Sequence, residues 1–163
     1  MQTVERWAVD EPSGAALPLP DGWEQVPAPL GATIAVALAR WSPAPGIADC
    51  RPNLILTTQR AEADSDLLRL GTEAIEQALV GADDAHVLAY DVWAAVDDRP
   101  VGRHLCFAYR QGDLGIYVSQ FVFVVDGALV AVTGTCGVDV ADVLTPVFDA
   151  AGASVRLPHR VAA

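Results

Sequence analysis

Lysine is missing from this 163-residue chain; all ten basic residues are arginine. Its absence excludes Schiff-base chemistry, a Walker-type phosphate lysine and any other mechanism that needs a side-chain amine. Histidine is scarce: His86, His104 and His159 are the full set. None has the i,i+4 or H-x-H partner of a metal site. Cysteine is scarce too. Cys50, Cys106 and Cys136 form an odd set without C-x-x-C spacing, which reads as reduced, mostly buried thiols, with a disulfide left open. No apolar run approaches the ~20 residues of a membrane-spanning helix. The first residues show no basic stretch followed by an apolar one, so a cytoplasmic location without membrane insertion is the expectation.

Positive charge is also short. Ten arginines face 21 acidic residues, for a net charge of −11. Nucleic acid and anionic membrane both require a basic footprint, so neither is an expected partner. The acidic residues are scattered and read as a solvated surface. Aspartate outnumbers glutamate by 15 to 6, which with the missing lysine reads as the coding bias of a GC-rich, actinobacterial-type genome.

What is present is apolar: 52% of the residues are hydrophobic, enough to exclude a disordered chain and to fill one domain core. The stretch FVFVVDGALVAVTGTC, residues 121–136, reads as two strands joined by Asp126-Gly127, a pair suited to a type I′ turn. Phe121, Phe123 and Val125 alternate with Val122 and Val124, so both faces of the first strand are apolar, as in a sheet covered on both sides.

Further strands are expected near 5–9, 32–40, 53–60, 86–96, 101–110, 115–125 and 128–136, with a short last one at 153–157. Pro18, Pro20, Pro27 and Pro29 forbid a helix at 17–29. A helix is expected after Asp64 or Ser65 as cap, with Asp66 near its dipole and Leu67, Leu68, Gly71, Ala74, Ile75, Ala78 and Leu79 as its apolar stripe. Gly71 costs about 1 kcal/mol there relative to Ala, unless close packing requires it. A second helix is expected over 140–151, capped by Asp139, with Val140, Val143, Leu144, Val147, Phe148 and Ala151 inward and Pro146 inside it. Asp97-Asp98-Arg99-Pro100, Gln111-Gly112-Asp113 and Asp126-Gly127 link four strands into a meander. The sum is an α+β sandwich: a twisted antiparallel sheet of six or seven strands flanked by helices.

In this order of elements the chain resembles the PsbP-like fold family, which includes the Mog, DcrB, LpqN and Eag-chaperone groups. The residues that carry the resemblance are Leu19-Pro20-Asp21-Gly22-Trp23, RPNLILTTQR at 51–60, the amphipathic helix, GRHLCFAYR at 102–110 and the paired strands from Gly115 to Cys136. It implies a single domain over 1–163 with an αβα sandwich; by their own residues, 1–16 read as a loose or short-strand lead-in and 158–163 as a loose tail. It also implies binding or assembly without catalysis, since no shared catalytic residue exists to carry over, and no cofactor.

Candidate chemistry is sparse. His104 and Cys106 are i and i+2 on one strand and share a face, the sharpest catalytic pattern in the chain; a core position is the weightier reading. VTGTCG at 132–137 lacks the spacing of a phosphate loop. Asp83-Asp84 and Asp97-Asp98 fall in expected turns, where acids solvate the loop. Trp7, Trp23 and Trp41 cluster near loops, and Trp93 shares a strand face with Asp91. Trp23, Trp41 and Trp93, with Arg51 and Arg103, form the candidate binding surface, since tryptophan and arginine anchor interfaces. The expected function is a non-catalytic protein-binding adaptor or chaperone-like protein, secretion-linked in its most concrete form and able to form a homodimer. The alternative is a small-molecule module or enzyme with a pocket near Trp93, His104 and Cys106.

Overall fold

A computed structural model of the chain describes residues 6–11, 13–27, 34–39, 51–61, 66–93 and 100–158, with backbone alone for 34–39. Trp41, Cys50, Asp64, Ser65, the Asp97-Asp98 link and His159 lie outside these residues. Nine strands and two helices are described: β1 (Arg6–Val9), β2 (Ala16–Leu19), β3 (Trp23–Val26), β4 (Ile34–Ala39), β5 (Asn53–Arg60), α1 (Leu67–Gly81), β6 (Asp83–Trp93), β7 (Gly102–Gln111), β8 (Leu114–Val125), β9 (Ala128–Gly137) and α2 (Ala141–Ser154). β1 and β2 form a two-stranded sheet; the other seven form an antiparallel sheet in the order β3-β4-β5-β9-β8-β7-β6.

Turn chemistry fixes the register of the meander. Asp126 and Gly127 both take positive φ, 48° and 77°, the geometry of a type I′ hairpin. The turn at Gly112, φ 62°, brings Gln111 opposite Leu114. Counting back along the ladder sets Cys106 opposite Ser119 and His104 opposite Phe121. Cross-strand partners point to the same side of a sheet. Phe121, Val132 and His104 therefore share one face with Leu54 and Leu56 of β5.

α2 covers that face. The packing is close because two glycines permit it: a Cβ on Gly134 would lie 2.4 Å from the Phe148 ring, and one on Gly152 would lie 2.5 Å from the Phe121 ring. Phe121 and Phe148 are fully buried between them. The β1–β2 hairpin extends the same layer and adds Ala8 and Leu17 to the core. Its pin is Asp10, a buried carboxylate that accepts from Thr58 Oγ1 at 2.9 Å and from Ser13 Oγ.

α1 covers the other face. A Cβ on Gly71 would collide with Tyr90, and Tyr90 neighbours Asp91, the partner of His104, so it points away from α2. This contact accounts for a glycine in mid-helix.

The local differences from expectation have simple causes. Asp66, rather than Asp64 or Ser65, is the cap of α1 and accepts from the Leu68 N–H at 3.0 Å. The buried side of α1 is turned toward Leu70; Leu68 and Leu79 are 56% and 49% exposed. Asp139 does not cap α2, because a 3₁₀ turn over Val138–Val140 intervenes. α2 runs on to Ser154 through Pro146, and the last expected strand shrinks to one bridge, Ala16 with Arg156. Val143 faces solvent. Among the described residues no helix is long and apolar enough to cross a membrane.

Candidate functional site

β7 and β8 bring polar side chains together under α2. His104 and Cys106 stand two residues apart on β7, and Tyr117 and Ser119 stand two apart on β8. His104 Nε2 lies 2.8 Å from Ser119 Oγ and 3.1 Å from Cys106 Sγ. Tyr117 donates its hydroxyl to Cys106 Sγ at 3.3 Å. Thr145 of α2 sits 3.4 Å from the Tyr117 oxygen and donates to the Ala141 carbonyl at 2.7 Å. Aromatic rings close the cluster from the edge of the sheet. His104 stacks on Phe121 with centroids 4.2 Å apart, and Trp93 meets both rings edge-on at 5.3 and 4.8 Å.

Burial dominates the electrostatics. It holds the His104 imidazole below its ordinary value of 6.5, against the opposite pull of the Asp149 and Asp91 charges. The ring is therefore neutral at pH 7. Burial, then the bond to Cys106, pushes the Tyr117 phenol up to about 12. Asp149 Oδ1 is buried with no hydrogen-bond partner among the described residues.

A thiol beside a neutral imidazole is the arrangement of a nucleophile and its base. Here both are walled in: His104 is 9% and Cys106 6% exposed. Two clefts open elsewhere, one beside α1 (Gln59, Arg60, Ala61, Arg69, Leu70, Glu73, Leu129) and one at Asp83, Asp84, Arg110 and Gly112. Neither is lined by Trp93, His104 or Cys106. The cluster is a polar inclusion in the core whose members satisfy one another. No group of three metal-ligating side chains occurs among the described residues.

Of the residues expected to form a surface, Trp41 lies outside the described residues, and the other four do not converge. Trp23 is 3% exposed and belongs to the core; its carbonyl accepts from the Arg6 guanidinium at 3.0 Å. Its indole is therefore not an exposed anchor. Arg51 pairs with Glu24 at 2.8 Å at the β3 side of the sheet. Trp93 is half-buried against His104 on the α2 face, at the opposite edge. Arg103 lies on the α1 face, 5.7 Å from the Tyr90 ring centroid, with its Nε buried and unpartnered among the described residues. Trp7, set aside from that surface, packs under the Arg156 guanidinium at 3.7 Å.

Sequence reasoning paired His104 with Cys106 and missed Ser119, Tyr117 and Asp149. The first two were legible in principle. A two-residue link at Gly112-Asp113 makes paired positions on β7 and β8 sum to a constant, which sets Ser119 opposite Cys106. Asp149 depends on the rotation of α2 over the sheet, which no local pattern encodes.

No family model matches the chain, and no curated protein matches it in sequence. Solved structures do match in shape. Cyanobacterial PsbP from Synechocystis sp. PCC 6803 superposes with a TM-score of 0.68 at 16% identity, covering 96% of this chain and 95% of that one. LpqN of Mycobacterium tuberculosis, described as involved in cell envelope biogenesis, gives 0.70 at 12% identity, covering 96% and 87%. The Ran-binding protein Mog1p of Saccharomyces cerevisiae gives 0.59 at 11% identity, covering 91% and 85%. At these identities the likeness is one of fold: the chain has the α+β architecture of the PsbP-like proteins.

Proposed function

We propose that this chain is a non-catalytic adaptor that binds a protein partner through an exposed apolar surface. One contrast carries the reading. The side chains able to do chemistry, His104, Cys106, Ser119 and Tyr117, are sealed in the core, while Leu68, Leu79, Leu88 and Val92 stand in solvent. Exposed apolar side chains gathered on one side of a domain mark an interaction site. The Ran-binding description of Mog1p, a neighbour in fold, agrees with a protein partner. A chaperone-like role that shields apolar helices needs an apolar groove; the two clefts described above, among the described residues, carry charged side chains. This favours the plain adaptor.

The test is capture by the tagged chain from lysate of its native host, against an acidic control protein of similar net charge. A saturable, salt-tolerant partner is the expected result. Capture no greater than the control's overturns the reading. Amine-reactive crosslinkers are poorly suited to a chain without lysine, so a photo-reactive side chain is the choice for fixing the complex.

A further inference from the structure

β6 ends the seven-stranded sheet, and among the described strands only β7 pairs with it. Its outer side therefore carries backbone donors and acceptors that a further strand can use. Two register irregularities, Asp83/His86 and Val87/Ala89, break its first half; Ala89–Trp93 pairs regularly. Leu88 is 59% and Val92 54% exposed beside this stretch.

α1 adds the second half of the surface. Leu70 and Glu73 line a cleft of about 250 Å³ with Gln59 and Leu129, so that flank of the helix looks toward β5 and β9. At roughly 100° per residue, Leu68, Ile75 and Leu79 fall together on the opposite flank. That flank looks outward over the edge of β6 that no described strand pairs with, because Gly71 rests on Tyr90 of this strand. Helix and strand run antiparallel through the single link Ala82, which sets Leu68 toward Val92 and Leu79 toward Val87.

An open strand edge under an apolar helix stripe is the arrangement that takes up an extended peptide by strand addition. Charge identifies the occupant. Asp91 projects from the opposite face of the same stretch and Glu76 rims the stripe, both exposed, whereas Asp84 at the start of the strand is paired with Arg110 at 3.7 Å. A second copy would bring Asp91 and Glu76 toward further acidic side chains in a chain of net charge −11. We propose that β6, overhung by Leu68, Ile75 and Leu79, binds an extended segment of a partner that alternates apolar with arginine or lysine side chains. Its apolar residues lie under α1 and its basic residues meet Asp91. The inference rests on the adaptor reading and gives it a place and a partner chemistry.

The probe is a fluorescent peptide of about ten residues alternating valine and arginine, the length of one strand. Two controls accompany it: a valine–glutamate version, and the valine–arginine peptide N-methylated at alternate backbone nitrogens. Saturable binding of the first alone is expected, with amide exchange slowed at Ala89–Trp93. Leu68→Ser with Leu79→Ser, and separately Asp91→Arg, each weaken it about tenfold, while Val143→Ser on α2 leaves it unchanged. Thermal melts confirm that each exposed-site variant is folded. Equal binding of the N-methylated peptide, unchanged affinity in the Leu68/Leu79 variant, or no binding at all overturns the proposal. A dimer that dissociates with the Leu68/Leu79 change also overturns it, by giving the edge to a second copy. If a partner captured by the wild-type chain binds this variant equally well, the adaptor reading survives and the β6 site falls.

Discussion

Protonation of His104 would place a positive charge between the Phe121 and Trp93 rings, in a shell that burial has already stripped of water. Its folded-state pKa is depressed below 6.5, so the unfolded chain binds the proton more readily. Stability from this group is therefore complete above 6.5 and declines as pH falls toward the folded value. Urea midpoints measured from about pH 7.5 down to about pH 5.5 should fall for the wild type and fall less steeply for His104→Gln. Parallel slopes for the two proteins would show that the imidazole does not govern the decline. Asp149 is the counterweight: its charge opposes the effect of burial, while its own Oδ1 is buried with no hydrogen-bond partner among the described residues.

Elements in this fold are separated by distances that particular small residues set. Gly134 on β9 lies under Phe148, and Gly152 on α2 lies over Phe121, so sheet and helix lock reciprocally. Gly134→Ala should cost about 1–3 kcal/mol by overpacking, read from chemical denaturation. A gain in stability would mean that α2 can lift without loss. The strands of the meander were legible because their turns are chemically explicit: Asp126-Gly127 and the Gly112 turn fix both position and register. α1 was legible as a helix, but not in its rotation. Its apolar residues cover more of the circumference than the sheet can bury, so sequence could not tell whether Leu68 or Leu70 faces inward. The cap of α2 was misread for a related reason. Asp139 has cap chemistry, yet the 3₁₀ turn carries the chain past it before the helix begins. The burial of Trp23 was not legible either, because an indole next to a Pro-Asp-Gly turn is as consistent with the core as with the surface.

At the scale of the molecule, the N-terminal hairpin is a separate small sheet, joined to the main one by Asp10 to Thr58, by Arg6 to the Trp23 carbonyl and by the buried Ala8 and Leu17, and to the segment after α2 by the Ala16–Arg156 bridge and Trp7 beneath Arg156. Asp10→Ala removes the buried acceptor and leaves the Thr58 hydroxyl without it. Amide hydrogens of β1 and β2 should then exchange markedly faster while those of β8 and β9 keep their protection, since local units open independently of the core. Equal loss across all four strands would make the hairpin part of one cooperative unit. The seam between β5 and β9 has a consequence of another kind. Its register joins Asn53 to Thr135 and Arg60 to Ala128, so the centre of the sheet closes only when chain far apart in sequence has met. During synthesis, β3, β4 and β5 leave the ribosome long before their central neighbour exists, with apolar edges waiting. Such non-local pairing slows folding and lengthens exposure to aggregation. The nascent chain is then at its most vulnerable between the appearance of β5 and the release of β9, an interval during which a holding chaperone matters more than after completion.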